Sequence, residues 1–123
     1  LLAVHRSYLK PVTALMKAVK VRGMAHITGG GFYDNVPRVL PANVNAVVDR
    51  KAWTPLPVFQ FIEEVGGVER DEMYRVFNMG IGMVIAVRKA DQAKALAALR
   101  KAGEKPVVVG WVEKGRGICR CIN

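Results

Sequence analysis

The chain has 123 residues, 51% of them hydrophobic, enough for one ordinary core and too few for two, so one globular domain spanning residues 1–123 is expected. Nineteen Lys and Arg against ten Asp and Glu give a formal charge of +9, a sign that suits phosphorylated metabolites and makes adventitious nucleic-acid binding plausible. No basic leader precedes an apolar run and no stretch approaches the ~20 apolar residues of a bilayer span, so neither a signal peptide nor a membrane helix is expected, and the protein reads as cytoplasmic.

Pro11 suits the first turn of a helix, and Val12, Leu15, Met16 and Val19 follow on one stripe that Gly23 would end. Residues 24–28 are short and apolar around His26 and predict a strand leading into three consecutive glycines, Gly29, Gly30 and Gly31. Residues 32–36 suit a helical turn, and Pro37 requires any longer helix to restart near Asn35. Residues 45–48 predict a strand. Pro57 opens a second helix with Val58, Phe61, Ile62 and Val65 on its inner face, ended by Gly66 and Gly67.

Residues 69–74 suit a short exposed helix, and residues 80–87 a central strand buried on both faces. Asp91 is placed to cap a third helix carrying Leu96, Leu99 and Ala102, with Gly103 as its left-handed terminator. Residues 107–112 predict a further strand and residues 117–122 an edge strand kept polar by Arg116 and Arg120. The irregular alternation points to an α+β fold, one mixed β-sheet with helices packed on it. Cys119 and Cys121, spaced i, i+2 in a strand, would aim their thiols to one side rather than bond together, and two sulfurs without a second Cys or His pair make a poor zinc site.

Adjacent glycines let a backbone approach a ligand closely and let successive N–H groups converge on an anion, and a following helix N-terminus adds partial positive charge. A phosphate suits Gly29, Gly30 and Gly31 on these grounds, although neither the Lys-Ser/Thr of a nucleotide P-loop nor the dinucleotide fingerprint is present. Taken alone, the three glycines read first as a tight turn without a ligand. His26 is close enough to donate to such a phosphate or to move a proton, and a satisfied structural histidine is the alternative.

Thr28 offers a hydroxyl to the same anion. Asp34 and Asn35 suit either capping of the next turn or substrate contact, and Arg38 either a phosphate or a carboxylate such as Asp34. In FNMGIGM, residues 77–83, Gly80 and Gly82 interrupt an apolar strand and admit a close approach, while Asn78 can bond a polar group at its entrance. Phe77 and the methionines read as core, Lys10 as solvated, and Trp53 and Trp111 as packing anchors. The basic residues run from Lys10 to Arg120 without a long block, so solvated faces are expected and no specific nucleic-acid groove. No metal-ligand cluster or carboxylate pair flanks the glycines, so no metal site is expected in this domain.

HITGGG with the downstream NVPRVLP, FNMGIGM, and KPV at residues 10–12 resemble the C-terminal domain of aminoimidazole ribonucleotide synthetases, the phosphoribosylformylglycinamidine cyclo-ligases of purine synthesis. The resemblance covers nearly the whole chain. It implies a layered α/β domain that is the C-terminal half of a two-domain synthetase, inactive alone, whose N-terminal domain supplies most of the ATP and Mg2+ machinery.

The implied reaction is ATP-dependent closure of formylglycinamidine ribonucleotide to aminoimidazole ribonucleotide, in a homodimer. The implied substrate or phosphate site takes in Thr28, Gly29, Gly30, Gly31, Asn35, Arg38, Asn78, Gly80 and Gly82, with His26 as catalytic candidate. Val4 and His5 stand where the pattern has proline and threonine, so His5 inherits no role, and RGICRCIN at the end has no counterpart in it. The alternatives are another two-domain ATP-using synthetase, such as a selenophosphate synthetase or the synthetase half of an amidotransferase, and a basic polyanion-binding module.

Overall fold

Helix α1 spans Leu9–Ala18 in the computed structural model, which describes residues 2–123. Contacts within the chain divide it into two units, Leu1–Met24 with Ile85–Val107 and Ala25–Val84 with Val108–Asn123.

In the first unit α1 holds Pro11 in its first turn and buries Leu15, with Val19 buried just beyond its end. Met16, expected on the same stripe, is 59% exposed, because the buried face runs through Pro11, Leu15 and Ala18. The helix stops at Val19, which is already extended, rather than at Gly23, which opens strand β1 (Gly23–His26). β-branched Val19 and Val21 favour that early exit. Helix α5 (Gln92–Lys101) lays Ala95, Ala98 and Leu99 against Leu15, Val19, Val21, Ile85 and Val87.

Asp91 precedes α5 but makes no side-chain cap; its carboxylate instead accepts from Arg88 Nε at 2.9 Å. Gly103 does end the helix, with φ +88°. Its N–H reaches the Arg100 carbonyl at 3.0 Å and that of Glu104 the Leu99 carbonyl at 3.0 Å, a Schellman pair.

The second unit is built on a three-stranded mixed sheet ordered β4-β2-β5. Strand β2 (Val44–Asp49) lies in the centre, antiparallel to β4 (Gly110–Lys114) and parallel to β5 (Cys119–Ile122). Its Ala46, Val47 and Val48 are all buried, as a strand covered on both faces requires. The central strand is therefore β2 and not residues 80–87.

Of that stretch, Met83–Ala86 forms strand β3, half-buried throughout, in a separate two-stranded sheet with β1. Met79 and Gly80 turn left-handed, φ +51° and +89°, and prevent the strand from starting earlier. The α+β class holds, with two sheets in place of one. Strand β4 likewise begins at Gly110 rather than residue 107, and its Trp111 is 51% exposed, so Trp111 is not a core anchor. Strand β5 is the expected edge, and Arg120 bonds Glu113 of β4 at 2.8 Å across β2.

Helices α2 (Gly31–Asn35), α3 (Pro57–Gly66) and α4 (Arg70–Val76) complete this unit. Met73 and Tyr74 of α4 are fully buried, so the helix expected to be exposed is a core element; its charges occupy the other face. Trp53, the second expected anchor, donates from Nε1 to the Met79 carbonyl at 2.9 Å and packs with Phe32 and Tyr74 at centroid separations of 5.6 and 6.0 Å. On α3 the inner face carries Phe59 and Ile62, while Phe61 and Val65 point outward, 62% and 71% exposed. No helix of the described residues is long and apolar enough to cross a membrane.

Candidate functional site

The glycine loop leaves β1 along a strand whose side chains alternate. Ala25 and Ile27 are buried in the core, so His26 and Thr28 share the outward, exposed face. The Ile27 N–H donates to the Gly82 carbonyl at 2.9 Å, which ties the end of FNMGIGM to the start of HITGGG. Two motifs that begin at residues 26 and 77 thus meet at one backbone bond.

The three glycines behave differently. Gly31 is buried, with φ +55°, and donates its N–H to the Thr28 carbonyl at 3.1 Å. A Cβ here would press into the Tyr74 carbonyl, so packing against α4 demands the missing side chain. Gly30, φ +93°, faces the Asp34 carboxylate, and its carbonyl accepts from the Asp34 N–H at 3.1 Å. Gly29 is exposed and has no atom within 4 Å of where a Cβ would stand. Among the described residues the N–H groups of Gly29 and Gly30 make no backbone hydrogen bond. Of the three loop amides, only that of Gly31 is engaged in a backbone bond among the described residues.

Asn35 closes the loop from beneath. Only 4% exposed, it donates from Nδ2 to the carbonyls of Gly31 at 2.8 Å, Thr28 at 3.2 Å and Gly29 at 3.3 Å, and its Oδ1 accepts from the Thr28 hydroxyl at 3.3 Å. The carbonyls are thereby held inward. Asn35 shapes the loop rather than reaching solvent.

Asn78 has a comparable local task. Its Oδ1 accepts from the Gly80 N–H at 2.9 Å and its carbonyl from the Ile81 N–H at 2.9 Å, fixing a tight turn in which Met79 and Gly80 both take positive φ. Gly80 is thus a turn residue and not a gap in a strand. Arg38 is exposed on the 3₁₀ helix Pro37–Val39 that follows α2, and no ion pair joins it to Asp34 among the described residues. The structure brings together His26, Thr28, the glycines, Asn35 and Gly82; Asn78 and Gly80 form the adjoining turn.

A cleft of about 440 Å³ beside α3, lined by Thr54, Gln60, Glu63, Glu64, Arg70 and Met79 among others, contains none of these residues. Tyr74 had no functional signal in the sequence, although its carbonyl is what forbids a side chain at Gly31.

The family model described as AIR synthase related protein, C-terminal domain, matches residues 1–120. The chain belongs to this family. The match embraces both compact units. Among its relatives, phosphoribosylformylglycinamidine cyclo-ligase of Bacillus cytotoxicus is 45% identical over 118 residues, 96% of this chain and 34% of the relative. Its namesake in Bacillus subtilis is 44% identical over the same shares. That of Alkaliphilus oremlandii is 44% identical over 94% of this chain and 34% of its own length. The AIR synthase related domain described here thus spans about a third of the curated relatives it matches.

Proposed function

We propose that the chain is the C-terminal part of an ATP-dependent cyclo-ligase that closes formylglycinamidine ribonucleotide to aminoimidazole ribonucleotide in purine synthesis. The observation that carries this is identity of 44–45% to cyclo-ligases across at least 94% of the chain. It favours this reaction over a selenophosphate synthetase, an amidotransferase synthetase half or a polyanion-binding module.

In this reading the Gly29 and Gly30 amides, which make no backbone hydrogen bond among the described residues, hold with the Thr28 hydroxyl a phosphate of the ribonucleotide or nucleotide. His26 shares their face, where an imidazole can donate to that phosphate or move a proton. Arg38 and the turn of Asn78, Gly80 and Gly82 border the same substrate, and Asn35 positions the loop. Catalysis at such a loop rests on placement and charge stabilisation.

Among the described residues no group of three or more His, Cys, Asp or Glu is disposed to hold a metal. We assign ATP and Mg2+ mainly to an N-terminal domain like the remaining two thirds of the relatives. The full enzyme is read as a cytoplasmic homodimer.

The test is to join this chain to the preceding portion of the Bacillus subtilis relative and follow ribonucleotide product and phosphate release. Turnover by the fusion, with little or none by the 123 residues alone, is expected. A folded fusion that consumes no formylglycinamidine ribonucleotide would overturn the assignment.

A further inference from the structure

Asp34 is the exposed residue of helix α2, set between half-buried Tyr33 and buried Asn35. Its N–H donates to the Gly30 carbonyl at 3.1 Å, and its side chain folds back over that glycine. A Cβ at Gly30 would meet Asp34 Oδ2 at 2.5 Å and Asp34 Cβ at 2.7 Å. The carboxylate therefore stands beside the loop whose Gly29 and Gly30 amides make no backbone hydrogen bond among the described residues.

Two local tasks would explain an aspartate here, and it performs neither. It makes no side-chain cap at α2, whose N-cap is Gly30. It forms no ion pair with Arg38, four residues on, or with another cation among the described residues. Left to itself, the charge opposes any phosphate on the adjacent amides, because like charges a few ångströms apart repel.

The place suits instead a ligand that brings an anion to the amides and a cation to Asp34. Formylglycinamidine ribonucleotide, the substrate under the cyclo-ligase reading on which this inference rests, carries both a phosphate and an amidine. An amidine is protonated near neutral pH and, like a guanidinium, presents N–H donors in one plane that a carboxylate accepts two at a time.

We propose that Asp34 recognises the amidine of the substrate and so selects it over the otherwise identical ribonucleotide bearing a carboxamide. The two molecules differ by an NH in place of an oxygen, so shape does not separate them. Charge and donor count do. A carboxamide is neutral and sets its carbonyl oxygen against one carboxylate oxygen, an acceptor facing an acceptor. A site built to take up a ligand's N–H groups rejects an analogue lacking them far more strongly than an apolar pocket rejects a methylene.

The experiment uses the fusion described above as wild type, Asp34→Asn and Asp34→Ala. Formylglycinamidine ribonucleotide is the substrate and its carboxamide counterpart a competitive inhibitor. In the wild type the inhibition constant of the carboxamide should exceed KM for the amidine roughly tenfold or more. In both variants KM for the amidine should rise by roughly that factor, while the carboxamide constant and the thermal midpoint stay as in wild type.

An unchanged ratio of the two constants would refute the proposal and leave Asp34 a solvated residue of the first helical turn. A raised Mg2+ requirement at an unchanged ratio would also overturn it, by placing a metal-bound phosphate beside Asp34. A wild-type fusion without turnover sinks the cyclo-ligase reading and this inference together. An active wild type with indifferent Asp34 variants sinks the inference alone.

Discussion

Asn35 Nδ2 donates to the Gly31 carbonyl at 2.8 Å from a side chain that is 4% exposed, and the same nitrogen serves Thr28 and Gly29. One buried amide thus sets which way the glycine loop faces. Replacing Asn35 with Ala leaves these carbonyls without their donor in a dry site, which costs about 1–3 kcal/mol. Urea unfolding should show a fall of that size, and Asn35→Asp, which sets a carboxylate against carbonyl oxygens, should fall further. Full stability in either variant would remove Asn35 from the loop's support.

Gly31 and Gly29 separate folding from ligand contact. Gly31→Ala forces a Cβ onto the Tyr74 carbonyl at a left-handed φ, and the two penalties together amount to roughly 2–5 kcal/mol. Gly29→Ala meets open space and should leave the thermal midpoint within experimental scatter. Gly30 is a poorer test, because its φ of +93° and the Asp34 carboxylate both penalise a side chain. Similar losses at positions 29 and 31 would contradict this division.

The sheet offers a pH test. Arg120, and then Trp111, hold the Glu113 carboxyl below its ordinary value, and the Lys51 amide and Asn123 do the same for Asp49. A carboxyl lowered in the folded state stabilises in full above its unfolded pKa, near 4, and loses that contribution as pH falls through the folded value. Stability should therefore decline as pH drops from 5 towards 3, and Glu113→Gln should flatten part of that decline. Both residues are only partly buried, so raising the salt concentration should also shrink the effect. A Glu113→Gln profile parallel to wild type throughout would refute it.

Local signals carried much of this architecture. Pro57, Gly67 and Gly103 mark helix ends because a fixed φ, or a positive one, is a property of the residue itself. Faces were harder to read. Phe61 and Phe59 are equally apolar, and only the position of the core decides that Phe59 packs inward and Phe61 does not. The central strand was misplaced because residues 80–87 and 44–49 are both β-branched, whereas the turn that shortens the former depends on a left-handed Met79, which no propensity predicts.

At the site, His26, Thr28 and the glycines were legible as a motif. The spent amide of Gly31 was not, because it depends on Asn35 and on Tyr74, 43 residues further along the chain.

If the scattered positive charge serves only solvation and steering, RNA should bind the chain weakly and without sequence preference. A protein neutralising several phosphates loses affinity steeply between 50 and 200 mM salt, roughly a thousandfold or more for six contacts. Polarisation titrations with a single-stranded oligomer should show binding at low salt that is lost at 150 mM. Tight, salt-resistant, sequence-dependent binding would instead favour the polyanion module.

The assignment of the glycine loop to a phosphate predicts a specific kinetic pattern in the fused enzyme. Gly29→Val places a branched side chain in the open space beside two amides that make no backbone hydrogen bond, so it should block an anion without stressing the core. Loss of two charge-assisted hydrogen bonds, each worth about 1.5–3 kcal/mol, corresponds to at least a hundredfold fall in kcat/KM. If the loop holds a phosphate that does not react, the fall appears in KM for the ribonucleotide. If it holds the transferring phosphoryl group, kcat falls with little change in KM. A Gly29→Val fusion with wild-type kcat/KM and an unchanged thermal midpoint would take the loop out of the reaction altogether, because the side chain would then fill the space with no consequence for substrate.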